Sequence, residues 1–547
     1  MRKYKTDLFH FLQNKCYMAA LMLTLLLSYG YSIATVSVGI DTLEGDRYVG
    51  SGGVMLSTGR FGMNFWAGLL GYGTADPSYQ PGIDLLAAIL LGAAAVHFCM
   101  LLHKVSNGQI SMFGYGVFSC IFISYPLINE IWEYSGANVC VCGGYLLDAV
   151  ALNLLWDSWH QSGVQKLLRF TAASVCMLIV CSSYESLAVV YVLAVFAMLS
   201  LQEYESKEKT RFLALIKEGL WYAAALIVGV CLRVFLQMLI NMVLPAQASA
   251  NGATAIAWVF YPFEYLAKLL IKNLIIQYWL RGCFYLPIRE LTIAVMIFVP
   301  MIVIVAMRCR KKYLLFTGAG MLLSLVLLSL LQGIYSAYRT CQTFALFFAL
   351  VVLAVYEILC KLFHKRNLIV AAVQLGLAVL CVHQAMYLNH MLALNYERSN
   401  EEAAVVRSIG TELEQSYDIS KPVVLVGQYT LGGNITRYTT ANPNQSVIYK
   451  QFREHKPDWE TGDIVKYVDT NCNSVLTWAA VAFGELDGVY GSAAENLFQY
   501  YGFNFTMQHS EILHKQAQAY AEEHALPGYP QAGSIVDRGA YLLVNLR

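Results

Sequence analysis

Charged residues that could take part in a reaction are concentrated in one glycine-rich stretch near the start of the chain. Residues 39–62 read GIDTLEGDRYVGSGGVMLSTGRFG and contain three carboxylates and two guanidinium groups, those of Asp41, Glu44, Asp46, Arg47 and Arg60. Carboxylates placed this close together push one another's pKa values apart, which suits a general base or a metal site. A hydrated loop whose charges are simply solvated is the alternative interpretation.

Three further polar groups interrupt apolar segments. They are NEIWE at 129–133, which contains Glu130, SSYES at 182–186, which contains Tyr184 and Glu185, and Arg339 in IYSAYR. An ionisable group within an apolar run is costly unless it faces a cavity or a partner, and an arginine can bind a phosphate through two hydrogen bonds. The simpler interpretations are an interfacial belt, a solvated turn and an arginine that reaches lipid headgroups.

Two charges and two cysteines lie deeper within apolar segments. Asp148 and Arg233 would each be costly alone, so a structural ion pair between them is the favoured prediction over a proton or ion pathway. Cys140 and Cys142 are interpreted as small buried residues, because no second ligand pair follows at the spacing of a zinc site.

The elements that position these residues are hydrophobic helices. The chain has 547 residues, of which 57% are hydrophobic and 13% charged, whereas a soluble protein would carry about a quarter charged residues. Apolar runs of about 20 residues recur, which indicates a polytopic α-helical membrane protein. Residues 395–547 hold 11 Lys and Arg against 18 Asp and Glu, and this acidic balance argues against nucleic acid as a partner.

The apolar runs predict about eleven transmembrane helices. Basic residues number 17 in the loops placed inside and seven in the outside loops before residue 395, so the positive-inside rule places the N-terminus in the cytoplasm. The expected location is the cell membrane, with residues 395–547 outside. The predicted spans are 16–38, 83–102, 111–128, 138–156, 168–183, 187–201, 219–244, 291–307, 314–333, 340–360 and 368–388.

Two segments allow more than one assignment of membrane spans. Residues 168–201 are interpreted as two short spans with a break at 182–186. Residues 258–280 are long enough to cross the membrane, but charges recur on one face at a spacing of four residues. An amphipathic helix in the outer interface is therefore preferred there.

The pattern divides the chain into a membrane domain, residues 1–394, and an extracytoplasmic α/β domain, residues 395–547. In the second domain the sequence predicts a helix at 397–416, a buried strand at 422–427, a helix at 510–525 and a terminal hairpin at 534–546. It shows no nucleophile motif, phosphate loop or metal pattern. A structural or acceptor-guiding role is the expected one.

The order of these features resembles bacterial Gtr-type glucosyltransferases, GtrII-like membrane enzymes of the GT-C class. The resemblance covers about residues 16–390 and is carried by GIDT after the first span, GRFG some twenty residues later, YPLINE at 125–130, the break at 184–186 and the arginine before a late span. It implies a GT-C-like membrane fold and a reaction at the outer face.

The resemblance also implies an inverting transfer of a hexose, with glucose the expected sugar, from undecaprenyl phosphate to a cell-surface polysaccharide. Asp41 would be the general base, Glu130 the second acid, and Arg60 and Arg339 would bind the donor phosphate. Relatives often show a compact acidic pair beside an arginine, whereas the acids here are spread out, so Asp46 is the alternative base. The remaining residues expected at the substrate site are Glu44, Arg47, Tyr184 and Glu185.

Two other functions are alternatives to glycosyl transfer. A polysaccharide polymerase or ligase would share the outer arginines without needing Asp41. A transporter or flippase for a lipid-linked solute would place charges near the middle of the membrane and contain inverted repeats. The expected partners are a polyprenyl-phosphate-linked sugar, a surface glycan and the lipid bilayer. No cofactor is expected to be required, and a divalent metal is left open.

Overall fold

A computed structural model describes most of the helical part of the chain and part of its C-terminal region. The described residues are 2–38, 43, 56, 59–70, 77–132, 136–206, 212–243, 262–264, 267–268, 288–332, 340–427, 485–486, 489–490 and 492–546. The predicted amphipathic helix at 258–280 falls almost entirely outside them and stays a prediction.

The described residues up to 416 lie mainly in helices. In chain order they are α1 (Arg2–Leu12), α2 (Lys15–Ala34), α3 (Phe61–Leu70), α4 (Gln80–Val105), α5 (Met112–Ile123), α6 (Ile128–Trp132), α7 (Ala137–Trp159), α8 (Val164–Ser183), α9 (Leu187–Glu205), α10 (Phe212–Val243), α11 (Ile288–Cys309), α12 (Tyr313–Ser324), α13 (Leu327–Gln332), α14 (Thr343–Leu362) and α15 (Asn367–Ser416). A short 3₁₀ turn, Pro77–Tyr79, precedes α4.

Nine helices among the described residues are long and apolar enough to cross a membrane. Each predicted span overlaps a described helix, but the span 314–333 is divided between α12 and α13, and α5 and α12 have 12 residues each. At 1.5 Å per residue such a helix is about 18 Å long, which is shorter than the roughly 30 Å of the hydrocarbon core. The chain is thus a multi-pass membrane protein, while eleven crossings remain a prediction.

The middle of the bundle is built on α4 and α7, whose faces are largely buried. Small residues of α7 also let α3 approach it closely, since a Cβ atom added at Gly143 of α7 would lie 2.5 Å from the ring of Trp66 in α3. Outer helices such as α10 instead expose large apolar side chains, including Phe235 and Met238. In a membrane protein these faces contact lipid.

The bundle has polar groups at both ends. At one end Asp157 binds Lys104 at 3.0 Å and Arg169 at 3.4 Å. At the other end α8 stops at Ser183 and α9 begins at Leu187, so the predicted break at 182–186 is confirmed. The contacts described below join this break to α3, α10 and α14.

The C-terminal region contains a small mixed sheet with order β1-β5-β4. β1 (Val423–Val426) runs parallel to β5 (Leu542–Asn545), and β4 (Ile535–Asp537) pairs with β5 in the antiparallel direction. Two helices, α16 (Ser492–Tyr500) and α17 (Glu511–Glu523), and a two-residue ribbon, β2 (Glu485–Leu486) with β3 (Val489–Tyr490), complete the described part. The predicted strand, second helix and hairpin are confirmed.

The predicted helix at 397–416 is only the end of a longer one. α15 runs for 50 residues without interruption and passes the predicted boundary at 394–395. The polar stretch that suggested a boundary, NYERSNEEAA, contains good helix formers and no glycine or proline, so nothing in it ends the helix. The two-domain division itself stays a prediction.

Candidate functional site

Glu185 lies in the three-residue break between α8 and α9. The backbone leaves the helix at Tyr184, which is extended at φ −154° and ψ 122°. The next residue but one, Ser186, donates a hydrogen bond to the side-chain oxygen of Gln342, just before α14, at 2.9 Å. Interrupting the helix therefore turns one carboxylate out of an apolar run and fixes it among several helices.

Arg60 reaches this carboxylate from the start of α3. Its Nη2 and Nε atoms lie 3.1 and 3.2 Å from Oε2 of Glu185. The guanidinium group also lies above the ring of Tyr184, 5.1 Å from the centroid, a geometry in which the ring face attracts the cation. The three residues singled out by the sequence at this site, Arg60, Tyr184 and Glu185, are thus brought together.

Arg233 of α10 contacts the same group. Its Nη2 lies 3.2 Å from Oε1 of Glu185, and its Nε donates to the carbonyl oxygen of Gly59 at 3.1 Å. One turn further along α10, Gln237 donates from Nε2 to the carbonyl oxygen of Leu56 at 2.8 Å. The end of the glycine-rich stretch is therefore held by side chains of α10.

Two guanidinium groups consequently share one carboxylate. The side chains of Arg60, Glu185 and Arg233 are 22%, 24% and 19% exposed, so they are accessible to a ligand yet partly shielded from water. Counted over these three described side chains, the net charge is +1. Guanidinium groups are the side chains best suited to bind an oxyanion such as a phosphate.

The GRFG motif has a structural explanation in its two glycines. Gly59 has φ +83°, a left-handed conformation, and an added Cβ would lie 2.8 Å from Nη2 of Arg233. At Gly62 an added Cβ would lie 2.6 Å from the backbone nitrogen of Ser183. Glycine at both positions lets α3 approach the break closely enough for Arg60 to reach Glu185.

Replacing Gly62 with alanine is expected to destabilise the protein by about 1–3 kcal/mol, since the new methyl group would meet backbone that cannot move aside easily. Gly68, in the same helix, has open space around its Cα, so Gly68→Ala is the matched control and should be neutral or slightly stabilising. Thermal unfolding of the purified variants in detergent measures both. Equal melting temperatures for the two variants would contradict the close packing of α3 on α8.

The predicted ion pair between Asp148 and Arg233 is wrong. Arg233 lies one turn beyond Gly229, at which α10 packs against Met177 of α8, and from there its side chain extends to Glu185 near the end of α8. Asp148 is fully buried in α7, and neither of its carboxyl oxygens has a hydrogen-bond partner among the described residues.

Several predicted site residues lie outside the described part of the chain. They are Asp41, Glu44, Asp46, Arg47 and Arg339. Glu130 lies in α6, and its side chain is also outside the described part. Its neighbour Asn129 accepts a hydrogen bond from Asn395 of α15 at 3.3 Å. The roles given to these six residues stay predictions.

Arg233 and Gln237 of α10 contact Glu185 and the end of the glycine-rich stretch, although neither was predicted there from the sequence. A signal was present, because Arg233 and Gln237 are spaced four residues apart in an otherwise apolar stretch and so share one face of the helix. Two polar side chains on one face of a membrane helix indicate a polar neighbour. That neighbour is the turn around Gly59 together with Glu185.

The helices define a multi-pass membrane protein, and a charged group formed by Arg60, Glu185 and Arg233 lies at one end of its bundle. The sequence profile of glucosyl transferase GtrII matches residues 30–359. The chain belongs to this family, as the resemblance implied. The match includes Arg60, Glu185 and Arg233.

Two solved structures are similar to the chain at a low level. One is the crystal structure of the Archaeoglobus fulgidus oligosaccharyltransferase tethered with an acceptor peptide, with a TM-score of 0.35, 11% identity and coverage of 76% of this chain and 62% of that one. The other is the archaeal oligosaccharyltransferase AglB from Archaeoglobus fulgidus in complex with an inhibitory peptide and a dolichol-phosphate, with corresponding values of 0.34, 10%, 76% and 63%. The chain thus spans less than two thirds of either structure. No curated protein matches the sequence.

Proposed function

We propose that the protein is an inverting, GT-C-type hexosyltransferase of the cell membrane. It moves a hexose, with glucose the favoured sugar, from undecaprenyl phosphate to a cell-surface polysaccharide. The N-terminus lies in the cytoplasm, and the group formed by Arg60, Glu185 and Arg233 lies at the outer face. A polyprenyl-phosphate donor needs no nucleotide-sugar site, and no cofactor is assigned.

The observation that carries this proposal is the convergence of Arg60 and Arg233 on Glu185. A polyprenyl phosphate leaves as an anion when the bond between the sugar and its phosphate oxygen breaks. Positioned guanidinium groups stabilise that developing charge more in a partly shielded site than they would in water. Arg339, which precedes the described Gln342 by three residues, is a further ligand for the same phosphate.

The carboxylates supply the other half of the reaction. Asp41 removes the proton from the acceptor hydroxyl, whose oxygen attacks the anomeric carbon from the side opposite the phosphate. The new glycosidic bond forms as the bond to phosphate breaks, and the configuration inverts. Asp46 is the alternative base, Glu130 is the second acid, and Glu44 and Arg47 contribute to the substrate site.

Transfer by the purified protein tests this proposal. Labelled glucose on undecaprenyl phosphate is expected to be transferred to a surface glycan fraction, whereas UDP-glucose at the same concentration is expected to give no product. Transfer from the nucleotide sugar alone would overturn the assignment of the donor. A parallel reaction with a chelator decides whether a divalent metal takes part.

A further inference from the structure

Residues 395–546 are called the C-terminal segment, and its described part packs against Val38 and Leu43, which precede and follow Asp41 in the sequence. Val38 is 5% exposed and belongs to an apolar cluster with Val406 and Ile409 of α15 and Leu542 of β5. Leu43 is partly buried against the same cluster. Among the described residues, Val38 is the only buried member of this cluster that precedes residue 400.

Hydrogen bonds fix the backbone at the same place. The amide of Val38 donates to Oγ of Ser399 in α15 at 2.9 Å, and Ser399 is 4% exposed. The preceding amide, that of Ser37, donates to Oε1 of Gln80 at the start of α4, also at 2.9 Å. The chain leaving α2 is therefore held between a membrane helix and the C-terminal segment.

We propose that the C-terminal segment is a positioning element for the chain at Val38 and Leu43, which precede and follow Asp41 in the sequence, and that Ser399 is its positioning residue. This proposal rests on the proposed function, because it gives a purpose to holding the predicted base Asp41. It differs from the acceptor-guiding role expected from the sequence. A guiding domain would change which acceptor is used, whereas a positioning element changes the turnover of every acceptor.

A general base acts only when its oxygen lies within hydrogen-bond reach of the proton that it removes. Displacing a catalytic group by 1 Å can cost about 10²-fold in rate. Val38 and Leu43, which both contact the C-terminal segment, lie three residues before and two residues after Asp41 in the sequence, so we expect the loss of either contact to lower the rate of the step that Asp41 catalyses.

Hydrogen–deuterium exchange on the full-length protein tests the contact itself. Ser399→Ala removes the acceptor for the Val38 amide, so peptides covering residues 36–43 should exchange at least about tenfold faster, in proportion to the more frequent local opening. Ser408→Ala is the matched control. Ser408 lies on the same helix, but its hydrogen bond, at 2.6 Å, goes to Tyr529 within the C-terminal segment. This control should leave exchange at 36–43 unchanged.

Leu43→Ser is a second variant that acts on the apolar contact from the other side. It should raise exchange at 36–43 without changing the hydrogen bond of Ser399. Equal melting temperatures for the three variants would show that the differences are local. Unchanged exchange in both Ser399→Ala and Leu43→Ser would overturn the proposal.

Steady-state kinetics distinguishes a C-terminal segment that positions the base from one that selects the acceptor. With undecaprenyl-phosphate glucose as donor, Ser399→Ala and Leu43→Ser should lower kcat about tenfold or more, with KM for donor and acceptor nearly unchanged. A changed acceptor preference at unchanged kcat would contradict positioning. If the wild-type protein transfers nothing from this donor, the proposed function fails, and the exchange measurements still decide whether the segment holds residues 36–43.

Discussion

Replacing Arg233 with glutamine is expected to lower kcat/KM for the polyprenyl-phosphate donor about 10²- to 10³-fold, the usual cost of losing one donor aimed at a developing negative charge. Arg233→Lys should recover only part of the loss, because lysine is a point charge that cannot bind Glu185 and a phosphate through a planar fork. Steady-state kinetics with purified protein and varied donor concentration measures the effect.

Arg169 provides the control for this prediction. It also binds a carboxylate, that of Asp157 at 3.4 Å, and its side chain is 21% exposed, close to the 19% of Arg233. It lies, however, at the opposite end of the bundle. Arg169→Gln should therefore leave turnover near the wild-type level, because the loss of one partly exposed ion pair costs only about 0.2–1 kcal/mol of folding stability. Equal losses in the two variants would show that Arg233 acts through stability alone.

Replacing Asp41 with asparagine is expected to reduce kcat about 10²- to 10⁴-fold, the contribution typical of a positioned general base. The amide has nearly the same size but cannot accept the hydroxyl proton. The acidic limb of the pH–rate profile should also disappear, because below the pKa of the base the wild-type enzyme loses its proton acceptor and the variant has none to lose. Initial rates between pH 4 and pH 9, roughly the range in which carboxylates titrate at catalytic sites, measure both effects.

Three comparisons make the result for Asp41 decisive. Asp46→Asn should have the smaller effect if Asp41 is the base, and the reverse order would assign the proton to Asp46. Glu130→Gln tests the second acid. Asp418→Asn, an exposed site in the C-terminal segment whose carboxylate binds Ser420, controls for the change of charge and should retain wild-type turnover. Full activity in the Asp41, Asp46 and Glu130 variants together would exclude the proposed mechanism.

Features that depend on local chemistry could be predicted from the sequence. The break at 182–186 is a cluster of polar residues between two apolar runs, and the structure contains it between α8 and α9. The buried strand β1 follows from an unbroken run of β-branched and aliphatic residues after Pro422. In both cases the residues that determine the element lie within it.

Features that depend on how distant helices pack could not be predicted in the same way. Arg233 and Glu185 are 48 residues apart in the sequence. The sequence predicts a pair between Arg233 and Asp148 instead, because both charges lie within apolar segments. The approach of Gly62 to Ser183 likewise depends on the placement of α3 between α7 and α8. Residue type indicates that a buried charge needs a partner, but the identity of the partner depends on tertiary packing.

The uninterrupted helix α15 has a mechanical consequence. Its 50 residues, at 1.5 Å each, give a rod about 75 Å long, while the hydrocarbon core of a bilayer is about 30 Å thick. Its far half, which carries Ser399, therefore continues the membrane half well beyond the hydrocarbon core without a joint. Because α15 also packs along α2, the two helices that meet at the hydrogen bond between Ser399 and Val38 are already in contact within the membrane. A shift of one helix against the other would be passed on to that hydrogen bond.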